Sequence, residues 1–221
     1  MSATAEMTTW KGVDPRVLQS FGVTEGVVGY RVPYFDREGE LWRVKLFGFD
    51  GDEWQNAKGK DVKAVRWLGE RKPQIPYGVW RLAKADPRAV ILTEGESDTW
   101  ALAEAFPAVA AIGIPGASSW RSEWTPLIER FERVFLSFDG DAPGRDLADK
   151  VWTDIGSRVR YVRLPDGADT RSLLQSIGPK AYRVLLRAAE ANREIRQAFT
   201  AATDPLAEAE GVREHWEAQL A

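Results

Sequence analysis

The chain contains no cysteine and only one histidine, His215, which stands alone near the end. Disulfides and cysteine-ligated zinc are therefore excluded, while a reducing compartment is not. None of its apolar runs approaches the length of a membrane span, so no membrane partner is expected. The first residues are polar and lack a basic stretch followed by an apolar core, so no signal peptide is expected. No Gly-x-x-x-x-Gly-Lys-Ser/Thr occurs, and with it a nucleotide-driven motor is excluded from this chain. An excess of positive charge is also missing. There are 30 Lys and Arg against 33 Asp and Glu, a net charge of −3, which argues against a uniformly basic nucleic-acid binder. Internal repeats and low-complexity tracts are absent.

What is present is unevenly placed. Between Lys58 and Lys84 lie Lys58, Lys60, Lys63, Arg66, Arg71, Lys72, Arg81 and Lys84, opposed only by Asp61 and Glu70. After Pro87 the balance is acidic. A basic segment feeding an acidic one suits a protein that holds a phosphate backbone with one part and a metal with the other, although charge clusters are commonly just solvated faces. Ten tryptophans are many for 221 residues, and most read as core or interface. Trp42 and Trp67, each beside a basic residue, could instead stack a base.

The hydrophobic pattern divides the chain. Asp14 and Pro15 read as the cap and first position of a short helix over 15–21. Residues 29–35 and 40–49 read as strands joined by the Asp36-Arg37-Glu38-Gly39 turn, with a further turn at 50–52, a short strand at 64–68 and a short helix from Val79. Beyond Pro87, strands and helices alternate. Strands are predicted at 89–93, 109–112, 134–138 and 160–164, and helices at about 97–106, 122–131 and 143–155. Alternation of this kind means a parallel sheet with helices on both faces. Pro179 to Thr200 reads as a helix, and Asp204-Pro205 as the start of another toward Leu220. The expected organisation is α/β: a small mixed α+β domain over 1–86, a parallel-sheet domain flanked by helices over 87–178, and a helical tail over 179–221.

The most informative feature is what ends two of the strands. Ala89-Val90-Ile91-Leu92-Thr93 runs into Glu94-Gly95-Glu96-Ser97-Asp98, and Val134-Phe135-Leu136-Ser137-Phe138 runs into Asp139-Gly140-Asp141-Ala142-Pro143-Gly144-Arg145. Open α/β sheets bind ligands at the C-terminal ends of their strands. Carboxylates gathered there commonly hold Mg²⁺ against phosphate. Plainer readings exist for each residue. Glu94 could be a surface acid near a helix N-terminus, and Asp141 a helix cap before Pro143. Capping accounts for one aspartate of the pair and not for both. Two like charges flanking a glycine repel, and a divalent cation relieves them. Asp169 could serve an Asx turn around Gly167, Asp98 reads as capping or opening the helix, Glu96 as solvated, and Arg145 as a surface arginine.

Taken in order, these pieces resemble the TOPRIM family, whose fold is shared by bacterial and phage primases, topoisomerases and some nucleases. The resemblance rests on Glu94 after the first strand, the glycine turn Gly113-Ile114-Pro115-Gly116, the Asp139-Gly140-Asp141 pair, and Leu164-Pro165-Asp166-Gly167-Ala168-Asp169. It covers roughly Arg88 to Gly178. More loosely, the block from Tyr30 to Leu82 resembles the part that precedes TOPRIM in phage primase–helicases, through Arg43-Val44-Lys45, the lysines near Lys63, and Ile75-Pro76-Tyr77-Gly78 with Trp80. The resemblance implies a TOPRIM-type sheet and Mg²⁺ (or Mn²⁺) held by Glu94, Asp139 and Asp141, with Asp169 as a further ligand. It also implies Arg43, Lys45, Lys63 and Arg66 as contacts to nucleotide and template, with Arg145 a possible triphosphate contact. The implied activity is primer synthesis from ribonucleoside triphosphates on single-stranded DNA during phage or mobile-element replication. A replicative helicase is the implied partner, and the bacterial host cytoplasm the implied location. Zinc is not expected, because the cysteines of the usual primase zinc module are missing. A TOPRIM nuclease and a non-catalytic replisome adaptor are the alternatives. One departure stands out: Arg171 occupies a position where primases often carry a second aspartate.

Overall fold

A computed structural model describes residues 10–27, 29–48, 54–55, 61–62 and 65–200, with side chains described except at 54–55, 61–62 and 192–200. The expected turn at 50–52, Lys63 and the expected helix beyond Asp204 lie outside the described residues.

Helix α1 (Pro15–Ser20) starts where the sequence signals it, with the Asp14 carboxylate accepting the Arg16 amide and Pro15 in the first turn. Strands β1 (Thr24–Gly26), β2 (Gly29–Phe35), β3 (Leu41–Gly48) and β6 (Val65–Leu68) form an antiparallel sheet in that order. The two-residue strands β4 (Trp54–Gln55) and β5 (Asp61–Val62) pair with one another. One face of the larger sheet buries Tyr30, Val32 and Tyr34 against Trp10, Leu18, Phe21 and Tyr77. A 3-10 turn over Val79–Lys84 leads onward.

The second sheet is parallel, in the order β10 (Val159–Tyr161), β9 (Arg133–Ser137), β7 (Ala89–Glu94), β8 (Ala110–Ile114). Its two faces follow from the period-two alternation of side chains along a strand. Val90, Leu92, Ile112, Ile114, Val134 and Leu136 point one way and bury helix α3 (Thr125–Ile128) and the Leu147, Val151 and Ile155 stripe of helix α4 (Ala142–Ile155). Ile91, Ala111 and Phe135 point the other way, onto helix α2 (Gly95–Ala105) and onto Leu174, Tyr182 and Ala189 of helix α5 (Thr170–Thr200). Each fully buried aliphatic side chain contributes ~1.5–3 kcal/mol. The near-continuous apolar strands are the mark of a sheet covered on both sides.

One helix departs from its expected span, and another gains a neighbour. The helix expected over 122–131 is a 3-10 turn, Ser122–Trp124, followed by α3 alone. Arg158 ends it from a distance, its Nη1 donating to the carbonyls of Ile128, Glu129 and Phe131 at 3.1, 2.7 and 3.2 Å. The helix expected from Pro179 does begin there: Gly178, at φ 76° and ψ 165°, is outside helical geometry and separates it from a preceding helical segment over 170–177, the two together making α5. Strand β10 is also shorter than expected, because Pro165 and Gly167 turn the chain soon after Tyr161.

The two sheets share a core. Trp100 of α2 is 1% exposed and belongs to the aromatic cluster of the N-terminal sheet. It lies 5.2 Å from the Trp10 ring and donates its indole N–H to the Tyr77 hydroxyl at 2.8 Å. Tyr77 exchanges backbone hydrogen bonds with Gly113 of β8, at 2.7 and 2.9 Å, and so covers the edge of the parallel sheet.

Candidate active site

Parallel pairing of β7 with β9 sets Thr93 opposite Ser137, so Glu94 and Asp139 emerge just past neighbouring strand ends. The Asp139 amide donates to Glu94 Oε1 at 3.1 Å. Asp141 begins α4 and accepts the Gly144 amide at 2.8 Å, which bears out its capping geometry. The loop carrying Asp169 is tied to the same place. Gly140 donates to the Ala168 carbonyl at 2.9 Å and Gly167 to the Gly140 carbonyl at 3.0 Å. Asp169 accepts the Ser172 amide at 2.6 Å at the start of α5.

Two glycines permit this closeness. A Cβ at Gly140 would run into the Pro165 carbonyl, and one at Gly144 into the Asp139 carbonyl and toward Glu94 Oε1. Gly140 is thus required by loop-on-loop contact rather than by an unusual φ.

The electrostatics mark the cluster as frustrated. Asp139 is pushed up to about 7, first by burial and then by the charges of Glu94, Asp169 and Asp141. Its Oδ1 is buried without a hydrogen-bond partner. Burial also raises Glu94, against the lowering effect of the Asp139 amide, and Asp141 raises it further. Asp98, 4% exposed on α2, is raised to about 8, chiefly by burial. The Arg171 amide, which donates to its Oδ1 at 2.9 Å, opposes that shift, and Asp169 and Asp139 add to it. An orphaned carboxylate oxygen among mutually repelling carboxylates fits a divalent cation. Among the described residues no three acidic or histidine side chains stand as a ready-formed ion-holding group. Glu94, Asp141 and Asp169 are instead turned onto backbone amides.

A pH dependence follows. Asp98 and Asp139 keep their protons in the folded chain up to about pH 8 and 7, whereas the unfolded chain loses them near 3.8. The unfolded state therefore binds fewer protons, and stability declines as pH rises through this window. Thermal unfolding in chelator should give a lower Tm at pH 8 than at pH 5, and divalent cation should flatten the trend. A Tm that climbs over that range in chelator would contradict the assignment.

The basic residues separate into distinct settings. Lys45 sits opposite Trp67 across the β3–β6 pairing, two residues from Arg43 on the same face. Its Nζ is 2.7 Å from Glu96 Oε1, an oxygen that also accepts the Tyr34 hydroxyl. Glu96 is therefore buried rather than solvated, at 6% exposure, and ties the N-terminal sheet to α2 two residues from Glu94. Neither Asp98 nor Glu96 was singled out as a site residue by the strand-end pattern. The usable signal was their spacing, i+4 and i+2 from Glu94 at a helix start. Arg43 lies 4.6 Å over the Trp67 ring and lines a cleft of about 760 Å³ with Arg71, Lys72 and Arg121. Arg66 pairs opposite Leu46 and so points to the other face of the sheet. Arg145 is half-exposed, 3.7 Å from Asp166. Trp42 and Trp67 pack partly buried against the aromatic core, Trp42 beneath Lys72 at 4.6 Å.

A family model described as Toprim-like matches residues 91–174, the span that holds every carboxylate of the cluster. The Gene 57 protein of Mycobacterium phage D29 is 32% identical over 139 residues, which cover 58% of this chain and 89% of that protein. The DNA primase of Salmonella typhimurium is 27% identical over 157 residues, 67% of this chain but only 27% of the primase. This chain thus spans about a quarter of the length of the curated primases it matches. In fold, it resembles the zinc-binding and RNA polymerase domains of the Aquifex aeolicus primase, with a TM-score of 0.65 at 17% identity over 80% of this chain and 53% of that one. It also resembles the primase fragment of the bacteriophage T7 primase-helicase protein, with a TM-score of 0.64 at 19% identity over 80% of this chain and 72% of the fragment. With a parallel sheet ending in these carboxylates, an antiparallel sheet before it and a C-terminal helix after it, the chain belongs to the TOPRIM, primase-type family.

Proposed function

We propose that this chain is a primase-type nucleotidyltransferase that joins ribonucleotides on single-stranded DNA during phage replication in the cytoplasm of a bacterial host. The observation that carries the reading is the partnerless Asp139 Oδ1, buried where the ends of β7 and β9 meet in a primase-type fold. Glu94, Asp139 and Asp141 would hold Mg²⁺ or Mn²⁺, with Asp169 beside them. Bound there, the cation would make the 3′-hydroxyl more acidic and neutralise the triphosphate and leaving pyrophosphate. The remaining work falls to the chain's own side chains. Lys45, paired with Glu96 two residues from Glu94, would supply positive charge for the nucleotide. Arg43, Arg71, Lys72 and Arg121 line a cleft suited to the template backbone, with Trp67 beneath Arg43 as a platform. Arg145, 3.7 Å from Asp166, would contact the triphosphate. Lys63 would add a further template contact, whereas Arg66, on the opposite face of the sheet from this cleft, would not reach the same strand of template. Helicase activity would come from another polypeptide or from another part of a longer one, because these 221 residues hold no phosphate-gripping motor loop.

Purified protein incubated with single-stranded DNA, labelled ribonucleotides and Mg²⁺ should yield short oligoribonucleotides. Shortened DNA without new RNA would establish the nuclease reading instead, and binding without either product the adaptor. Template binding should depend on salt. Arg121→Ala should weaken binding across all sequences and reduce the slope of log K against log salt by about 0.7, the single-strand value for one phosphate contact. An unchanged slope in a fluorescence-anisotropy titration would move the template away from the cleft.

A further inference from the structure

Among the described residues lining the basic cleft, Arg121 alone belongs to the parallel-sheet part of the chain; Arg43, Trp67, Arg71 and Lys72 come from β3, β6 and the loop after it. Arg121 stands in the connection that leaves β8 after Ile114, the register partner of Glu94, and so at the carboxylate edge of that sheet. Its guanidinium makes no hydrogen bond or ion pair among the described residues. What places it therefore acts through its backbone.

The residues on either side of it are tethered to one atom. Trp120 donates its indole N–H to Asp154 Oδ2 at 2.6 Å, and the Ser122 hydroxyl donates to the same oxygen at 2.9 Å. Asp154 lies in the last turn of α4. The Trp120 ring is also packed against the core, edge-on to Trp124 with centroids 5.9 Å apart. Arg121 itself is extended, at φ −132° and ψ 133°, and its carbonyl accepts the Trp124 amide at 2.9 Å. In extended backbone successive side chains point to opposite sides. Drawing Trp120 and Ser122 onto α4 therefore turns Arg121 away from that helix and into the cleft.

We propose that Asp154 is a positioning residue for template binding: by accepting both neighbours of Arg121 it holds that guanidinium in the wall of the cleft, and it touches no template itself. The inference rests on the reading of this cleft as the template's path. The sign of the effect separates positioning from simple electrostatics. An acid beside a phosphate-binding cleft repels the phosphate backbone, so where charge alone matters its removal strengthens binding. Where the acid is the tether, its removal weakens binding.

The test is a fluorescence-anisotropy titration of the full chain with a labelled single-stranded oligodeoxynucleotide over a range of salt, with a melting curve for each variant. Asp154→Ala should weaken binding by at least about twofold, the lower end of coupling within one hydrogen-bond network. It should also lower the salt slope by no more than Arg121→Ala does, and cause no further loss when added to Arg121→Ala. Trp120→Phe combined with Ser122→Ala removes both donors, keeps every charge and should reproduce the loss, which keeps the inference open to refutation even if Asp154→Ala fails to fold. Binding by a folded Asp154→Ala that equals or exceeds the wild type would overturn it. So would an equal loss on the Arg121→Ala background, or wild-type binding by the folded variant lacking both donors. If Arg121→Ala alone bound as the wild type does, the template would leave the cleft and the inference would fall with it, an outcome distinct from a failure of Asp154 to matter.

Discussion

Asp139→Asn should lose primer synthesis by at least on the order of a hundredfold, since even partners outside the ligand set cost 10–100-fold at metal sites, while the fold stays intact. The substitution keeps the side chain's shape and removes the charge that Glu94, Asp169 and Asp141 oppose. Without metal, the variant's Tm at neutral pH should therefore equal or exceed that of the wild type. The combination is diagnostic. A residue needed only for structure would lose activity and stability together, whereas one that holds an ion loses activity while its repulsion is relieved. Synthesis at the wild-type rate by Asp139→Asn would remove Asp139 from the chemistry.

Trp100→Ala should destabilise the protein by about 3–5 kcal/mol, the usual cost of emptying a buried aromatic site. The ring is 1% exposed, stands between Trp10 and Tyr77, and is a fully buried member of α2 in the core of the N-terminal sheet. Its loss opens a cavity where the two sheets meet and leaves the Tyr77 hydroxyl without its indole donor. Because α2 begins directly after Glu94, template binding and catalysis should decline with it. Trp100→Phe retains most of the packing and should cost far less. A Tm for Trp100→Ala within about 2 °C of wild type, well under the 2–4 °C per kcal/mol typical at this size, would mean that the two sheets do not depend on this contact.

Much of the architecture could be read from residues close together in sequence. Asp14-Pro15 announces α1, the Asp36–Gly39 turn joins β2 to β3, and apolar runs bounded by turn residues mark the parallel strands. The strand-end carboxylates were legible because topology alone places the ends of parallel strands on one edge. What escaped the sequence depends on distant partners. The helix after Ser122 stops at Ile128 because Arg158, thirty residues on, takes its terminal carbonyls. The helical segment that starts at Thr170 was not legible, because Asp98, from a different helix, accepts the Arg171 amide beside the local Asp169 cap; it runs to the break at Gly178, ahead of the helix that Pro179 opens as its sequence signals. Glu96 looks like an ordinary exposed acid until Tyr34 and Lys45 arrive from the other sheet. Arg66 reads like its neighbours in the basic segment, and only the β3–β6 register turns it to the opposite face from Lys45.

The central claim is that the ends of β7 and β9 form a metal centre. Crystals of the protein soaked in Mn²⁺ and measured for anomalous scattering at the manganese edge test it directly. The expected result is a peak within bonding distance of Asp139 Oδ1, the buried oxygen that now has no partner, with Glu94 and Asp141 swung from their backbone amides to join it. A fully soaked crystal with no peak at this edge of the sheet, or with Mn²⁺ bound only elsewhere, would contradict the claim.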